Sequence, residues 1–274
     1  MEQPDIKEII NNVFICMPFI NLNERYAHYF RLIKRNRLNL EIGIDFRALD
    51  KFPAEYFRKL ADELLGLGIS TTVHAPFHEI FLGAPDTLVR KAALKRMDNA
   101  FKVIKYFLPK LVVVHLNYEE KRYRFIYDEW LNQIIPNLKR YAEKCGRIGA
   151  FLSVENVYEE TSDAMTDVFN NLKGYPVYHC LDVGHLNCFS KMDLESWLFN
   201  LGPYIRQFHL HDNNGINDTH SPIGTGNIDF NKIKAFISKA NPKPVITLEP
   251  HSEEDLWKTL EGFHEKGLLE SLKN

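Results

Sequence analysis

The chain of 274 residues has no CxxC pair and no glycine-rich phosphate loop after its first candidate strand. It also has no apolar run approaching the roughly 20 residues of a membrane-spanning helix. The missing CxxC spacing removes zinc ribbons, and the four cysteines (Cys16, Cys145, Cys180 and Cys188) are scattered. They are expected to be reduced thiols of a cytoplasmic protein, because disulfide frameworks belong mainly to small secreted chains. The opening segment, MEQPDIKEII, carries acids and a proline where a signal peptide has a basic start and an apolar stretch. An excess of charge of one sign is lacking too: 34 Lys+Arg stand against 36 Asp+Glu, a formal charge of −2. That balance argues against a protein that grips a nucleic-acid backbone through its overall charge, leaving only a local basic patch for such a role. No low-complexity linker, charge block or internal repeat divides the sequence, so residues 1–274 are expected to form one domain.

What is present is a regular alternation. Eight short segments are rich in β-branched and aromatic residues: 12–17, 40–46, 70–75, 111–116, 151–156, 177–182, 205–211 and 245–249. Near-continuous apolar runs of this length suit parallel strands covered on both faces. Between them lie helical spacings at 23–35, 54–65, 86–107, 126–145, 163–172, 193–201, 230–239 and 253–263. In 54–65 the stripe is Tyr56, Phe57, Leu60 and Leu64; in 86–107 Asp86 is the expected N-cap. Eight strand signals alternating with eight helix signals predict an α/β fold, a single eight-stranded parallel (β/α)8 TIM barrel. A doubly wound sheet is the rival, and CMPFINLNE after the first strand offers none of its phosphate-loop glycines.

The chemistry gathers at the C-terminal ends of those strands, where barrels build their sites. His74, His115, Glu155, Asp182, His211 and Glu249 end six consecutive strands. A lone histidine in VVVHLNY would ordinarily be a satisfied core residue. A carboxylate after FLSV or VITL is different, because burying it is costly unless it is paired or metal-bound. Imidazole with carboxylate suits zinc, manganese, cobalt or magnesium. His185 lies three residues beyond Asp182, and Asp218 and His220 lie on the loop after strand 7, so these three could form a neighbouring ligand cluster. His209 and His211 share strand parity, so both could face inward. His211 is favoured as the ligand, being nearer the rim, with His209 beside it. His78 and His251 are candidate substrate contacts. His179 should face the helices, and His28 and His264 sit in helical stretches. The Gly224–Gly226 pair either shapes a loop or turns backbone N–H groups toward an anion.

As an ordered set, HAPF (74–77), VVVH (112–115), VEN (154–156), DVGH (182–185), HLHD (209–212), DTHSPIGTGNID (218–229) and LEP (248–250) resemble the xylose isomerase-like barrel superfamily. That group contains sugar and sugar-phosphate isomerases and epimerases, together with the endonuclease IV family of abasic-site nucleases. The epimerase resemblance implies one divalent metal on Glu155, Asp182, His211 and Glu249. It also implies a metal-stabilised enediolate, proton transfer by Glu155 and Glu249, and substrate contact by His185. The nuclease resemblance implies three zinc ions on nine side chains: His74, His115, Glu155, Asp182, His185, His211, Asp218, His220 and Glu249. The segment after His211 is shorter than the nuclease pattern, and no DNA-penetrating loop stands out. The expectation is a zinc-, manganese- or cobalt-dependent isomerase or epimerase of carbohydrate metabolism, holding one to three ions and acting on a small sugar or sugar phosphate. An abasic-site phosphodiesterase is the alternative, and a non-catalytic metal- or sugar-binding barrel the second alternative.

Overall fold

The computed structural model describes residues 3–273. Its strands are β1 (Phe14–Pro18), β2 (Asn39–Gly43), β3 (Thr71–His74), β4 (Leu111–His115), β5 (Phe151–Glu155), β6 (Val177–Asp182), β7 (Ile205–Leu210) and β8 (Val245–Leu248). All pair in parallel and in sequence order, and β8 returns to β1 to close the barrel. The eight strands expected from sequence are therefore the eight that form.

The first half of the chain supplies helices α1 (Gln3–Asn12), α2 (Phe19–Glu24), α3 (Tyr26–Asn36), α4 (Phe46–Lys51), α5 (Ala54–Gly66), α6 (Thr87–Ile104) and α7 (Glu120–Tyr123). The second half adds α8 (Tyr127–Arg147), α9 (Asp163–Asn171), α10 (Val183–Phe189), α11 (Leu194–Leu201), α12 (Phe230–Lys239), α13 (Glu253–Glu265) and α14 (Leu268–Leu272). Sequence spacing misses α1, whose Ile9 and Ile10 are buried and which packs on α13. It also misses α4, α7, α10 and α14, each too short to show a period. No helix among the described residues is long and apolar enough to cross a membrane.

The outward faces of the strands are apolar as expected: Val112, Val114, Leu152, Val154, Phe208, Leu210, Ile246 and Leu248 are buried beneath the helices. On α5, Phe57, Leu60 and Leu64 face that core, whereas Tyr56 is 51% exposed. Asp86 does cap α6: its Oδ1 accepts the N–H groups of Leu88 (2.7 Å) and Val89 (3.1 Å). Asp86→Ala is expected to cost about 1 kcal/mol, the usual value of an N-cap, read as a lower urea midpoint with unchanged slope. Inside the barrel the expectation of apolar strands fails. Glu41, Thr72, Gln207 and Thr247, from four different strands, form one buried hydrogen-bonded polar layer.

Register positions the rim. His115 pairs with Glu155 between β4 and β5, and Asp182 pairs with His209 between β6 and β7. Asn156 fastens β5 to β6, donating to the Asp182 carbonyl and accepting its N–H, each at 2.9 Å.

Candidate metal centre

Parallel strands in a closed barrel place all their C-terminal ends on one rim, so the residues where the apolar runs stop are brought together. Glu155, 1% exposed, is the hub. Its Oε2 lies 3.1 Å from His74 Nε2, 3.5 Å from His115 Nε2 and 3.4 Å from His209 Nδ1. Its Oε1 lies 3.2 Å from His185 Nδ1. Asp182 caps α10 by accepting the His185 N–H at 2.7 Å and also meets His211 Nε2 at 3.2 Å. Asp218 Oδ2 lies 3.3 Å from His185 Nε2 and 3.1 Å from His220 Nε2. Glu249 reaches His209 Nδ1 at 3.1 Å and His220 Nδ1 at 3.5 Å. All nine residues singled out from sequence thus converge.

His209, expected only to lie beside His211, itself reaches the carboxylates, while His211 Nε2 meets Asp182 at 3.2 Å and Glu249 at 3.9 Å. His209 Nδ1 lies within 3.4 Å of Glu155, 3.8 Å of Asp182 and 3.1 Å of Glu249. It is His209 that stands among the three carboxylates. His211 follows the end of the strand and sits with the outer group, its ring stacked on His220 at 3.8 Å. Strand parity could not separate them; the end of β7 at Leu210 does. His251 stacks on the other face of His220 at 4.4 Å, and His78 packs on Phe77 at 4.2 Å. His179 does face the helices, buried between Phe169 and Trp197, and burial lowers it to about 4.

Sequence reasoning missed four supporting groups. Glu41 lies beneath His209, with its Oε1 at 2.9 Å from Nε2. Glu159 holds the loops after β4 and β5 together by accepting the N–H groups of Tyr118 (3.0 Å) and Val157 (2.6 Å). Burial raises Glu159 to about 7 against those donors. Asp212 takes the N–H groups of Gly224 and Gly226, each at 2.9 Å, so the anion that this glycine pair faces is the protein's own. Gly184 is required by proximity: a Cβ there would stand 1.9 Å from His211 Cε1. The DVGH segment was the available signal for Gly184 and HLHD for Asp212; Glu41 gave no local one.

Burial opposes charge throughout the cluster, and opposite charges overcome it. Asp182, Asp218 and Glu155 hold His185 well above the usual imidazole range. Asp218 raises His220 to about 9, helped by Glu249. In return His185 and His220 hold Asp218 far below the usual carboxylate range, and His209 does the same for Glu249. Without a cation the acids must be balanced by protonated rings. Yet the buried Nδ1 atoms of His209, His211 and His220, and Asp218 Oδ1, have no hydrogen-bond partner among the described residues. Unpartnered buried nitrogens aimed at carboxylates are costly in themselves and fit a bound cation. Groupings that bring donor atoms within 4.8 Å of one another include His185/His211/Asp218/His220, His74/His115/Glu155, Glu155/Asp182/His185, Glu155/Cys180/His209 and Cys16/Glu41/Glu249. Their nitrogen and oxygen donors suit zinc, manganese or cobalt.

In front of the cluster opens a cavity of about 670 Å³, within the range of small-molecule sites. Met17, Tyr29, Phe77, Tyr158 and Phe189 give it an apolar wall, and His78 and His251 lie on its lining. Arg47 is its only Lys or Arg among the described residues, and its Nε is already 2.6 Å from Asp45.

Comparison with known proteins agrees with this architecture. The uncharacterized protein MJ1614 of Methanocaldococcus jannaschii is 29% identical over 189 residues, covering 68% of this chain and 72% of its own. Among solved structures, the TTHB071 protein from Thermus thermophilus, soaked with zinc chloride, superposes with a TM-score of 0.75. It is 21% identical, with 96% of this chain and 98% of that one covered. A D-tagatose 3-epimerase-like protein gives a TM-score of 0.74 at 22% identity, covering 95% and 98%. The model of the xylose isomerase-like TIM barrel matches residues 27–270, and the chain belongs to that family.

Proposed function

We propose that the chain is a divalent-metal-dependent isomerase or epimerase of a small, uncharged sugar. The observation that carries this reading is the placement of two carboxylates at the strand-end rim, buried Glu155 and half-buried Glu249, against His209 Nδ1, at 3.4 and 3.1 Å, beside the cavity. Glu155, Asp182, Glu249 and His209 are the residues that would hold the principal metal, with His209 in the role expected of His211. Bound there, the metal supplies a Lewis acid that polarises a carbonyl and its neighbouring hydroxyl. The chain's own groups do the rest. One carboxylate removes the proton on the carbon beside the carbonyl, and the other returns it. His185, held by Asp182 and Asp218, orients a substrate oxygen at the cavity wall. The apolar wall limits water near the reacting carbon.

The lining favours an uncharged sugar over a sugar phosphate. A phosphate would find one Lys or Arg side chain, already paired, among Asp45, Glu79, Glu119 and Glu253. The same shortage weighs against a DNA backbone. A phosphodiesterase is the second reading, supported by the outer grouping of His185, His211, Asp218 and His220, which offers donors beyond the needs of one ion.

Elemental analysis of the purified protein, beside assays on ketoses, ketose phosphates and abasic duplex DNA, separates the two. One manganese, cobalt or zinc per chain with ketose turnover is expected. Three zinc ions with DNA nicking would replace the first reading with the second.

A further inference from the structure

Glu41 is a fully buried carboxylate in mid-strand on β2. One oxygen is saturated: Oε2 accepts from Gln207 Nε2 (2.7 Å), Thr72 Oγ1 (2.8 Å) and Thr247 Oγ1 (3.1 Å). The other, Oε1, lies 2.9 Å from His209 Nε2 and accepts no well-aligned hydrogen bond among the described residues. On the far side of the same ring, Nδ1 faces Glu155, Asp182 and Glu249. The ring is thus clamped between a structural anion below and the candidate metal position above.

A neutral imidazole carries one proton, and only the nitrogen without it can bind a cation. Gln207 Nε2, a donor, lies 3.3 Å from His209 Nε2 and by itself would favour the proton on Nδ1, the wrong nitrogen. Among the described residues, Glu41 Oε1 is the one anionic acceptor on the Nε2 side. We propose that Glu41 is a positioning residue that fixes the His209 proton on Nε2 and so keeps the Nδ1 lone pair directed at the cation. This rests on the proposed role of His209 as a ligand. The three donors on Oε2 keep the carboxylate from rotating, so the polar layer inside the barrel serves the rim above it.

Glu41→Gln makes the inference sharp. The amide oxygen must take the place of Oε2, because three donors converge there, which leaves the amide NH2 against His209 Nε2. That amide would donate to Nε2 and drive the ring proton to Nδ1. The experiment is a zinc titration of metal-free wild type and Glu41→Gln, followed by two-bond 15N–1H spectra of the imidazoles, with His209→Gln identifying the His209 signals. With zinc bound, wild type is expected to carry a single ring proton on Nε2, its Nδ1 resonance moving as zinc is added. Glu41→Gln is expected to carry it on Nδ1 and to bind zinc about 10- to 100-fold more weakly. Equal affinity and the same tautomer in both proteins would overturn the role of Glu41 while leaving His209 as a ligand. Zinc binding that leaves the His209 signals unmoved, or no zinc binding at all, would overturn the ligand reading and this inference with it. Should Glu41→Gln not fold, the wild-type spectrum alone decides: a ring proton that stays on Nδ1 at saturating zinc overturns the proposal.

Discussion

Glu155→Gln is expected to reduce exchange of the substrate's carbon-bound proton with solvent by at least about 10³-fold, with deuterium wash-in followed by NMR as the measurement. General-base catalysis contributes about 10²–10⁴-fold by itself, and this carboxylate is also the hub of the cluster. His74, His115, His185 and His209 all place a ring nitrogen within 3.5 Å of it. An amide in its place neither accepts a proton from carbon nor balances those rings. It also turns an NH2 group toward imidazoles that now face a carboxylate. A loss of 10³ corresponds to about 4 kcal/mol of transition-state stabilisation. The variant should also lose affinity for the metal, so exchange is to be measured at saturating metal, where only the proton-transfer role remains. Exchange at the wild-type rate under that condition would remove Glu155 from the proton transfer.

The parts of this site that were legible in sequence are those where a short-range rule meets a strand end. His74, His115, Glu155 and Asp182 each close an apolar run, and each is the last residue of its strand. The parallel barrel turns that one-dimensional fact into a three-dimensional cluster, which is why alternation of strands and helices was enough to assemble it. Glu41 obeys no such rule. It sits between Leu40 and Ile42 in mid-strand, and its partners Gln207 and Thr247 are 166 and 206 residues away in sequence. The choice between His209 and His211 needed the register, since residues two apart on a strand share a face. Pairing of Asp182 with His209 across β6 and β7 sets His209 beside that carboxylate. Tyr56 shows the same limit on a helix: it lies on the apolar stripe by spacing, yet the barrel wall does not reach that far around α5.

Asp212→Asn is expected to destabilise the protein by about 3–5 kcal/mol and to release the loop that carries Asp218 and His220. The carboxylate is fully buried and accepts four backbone N–H groups. Asn213 (2.9 Å) and Ile228 (3.3 Å) donate to Oδ1. Gly224 and Gly226, both at 2.9 Å, donate to Oδ2. Gly226 is held so closely that a Cβ would stand 2.3 Å from Oδ1 and 2.1 Å from the Asn213 carbonyl oxygen. Asparagine offers one acceptor and one NH2 group, so whichever way it turns, two backbone donors meet a donor. Hydrogen bonds to a buried charge are worth about 1.5–3 kcal/mol each, and orphaned donors add their own desolvation cost. The main chain of Asp212 still bridges Ser221 through two 2.8 Å bonds, so the base of the loop survives while its far side opens. Urea unfolding measures the loss, and a change below about 1 kcal/mol would show that the loop does not depend on this anion. The chemical consequence should be selective. Cation binding at Glu155, Asp182, His209 and Glu249 should persist, because β5 to β8 position those groups without the loop. Any ion held by Asp218 and His220 should be lost, and a metal count that falls in Asp212→Asn would thereby place the additional ion on that loop.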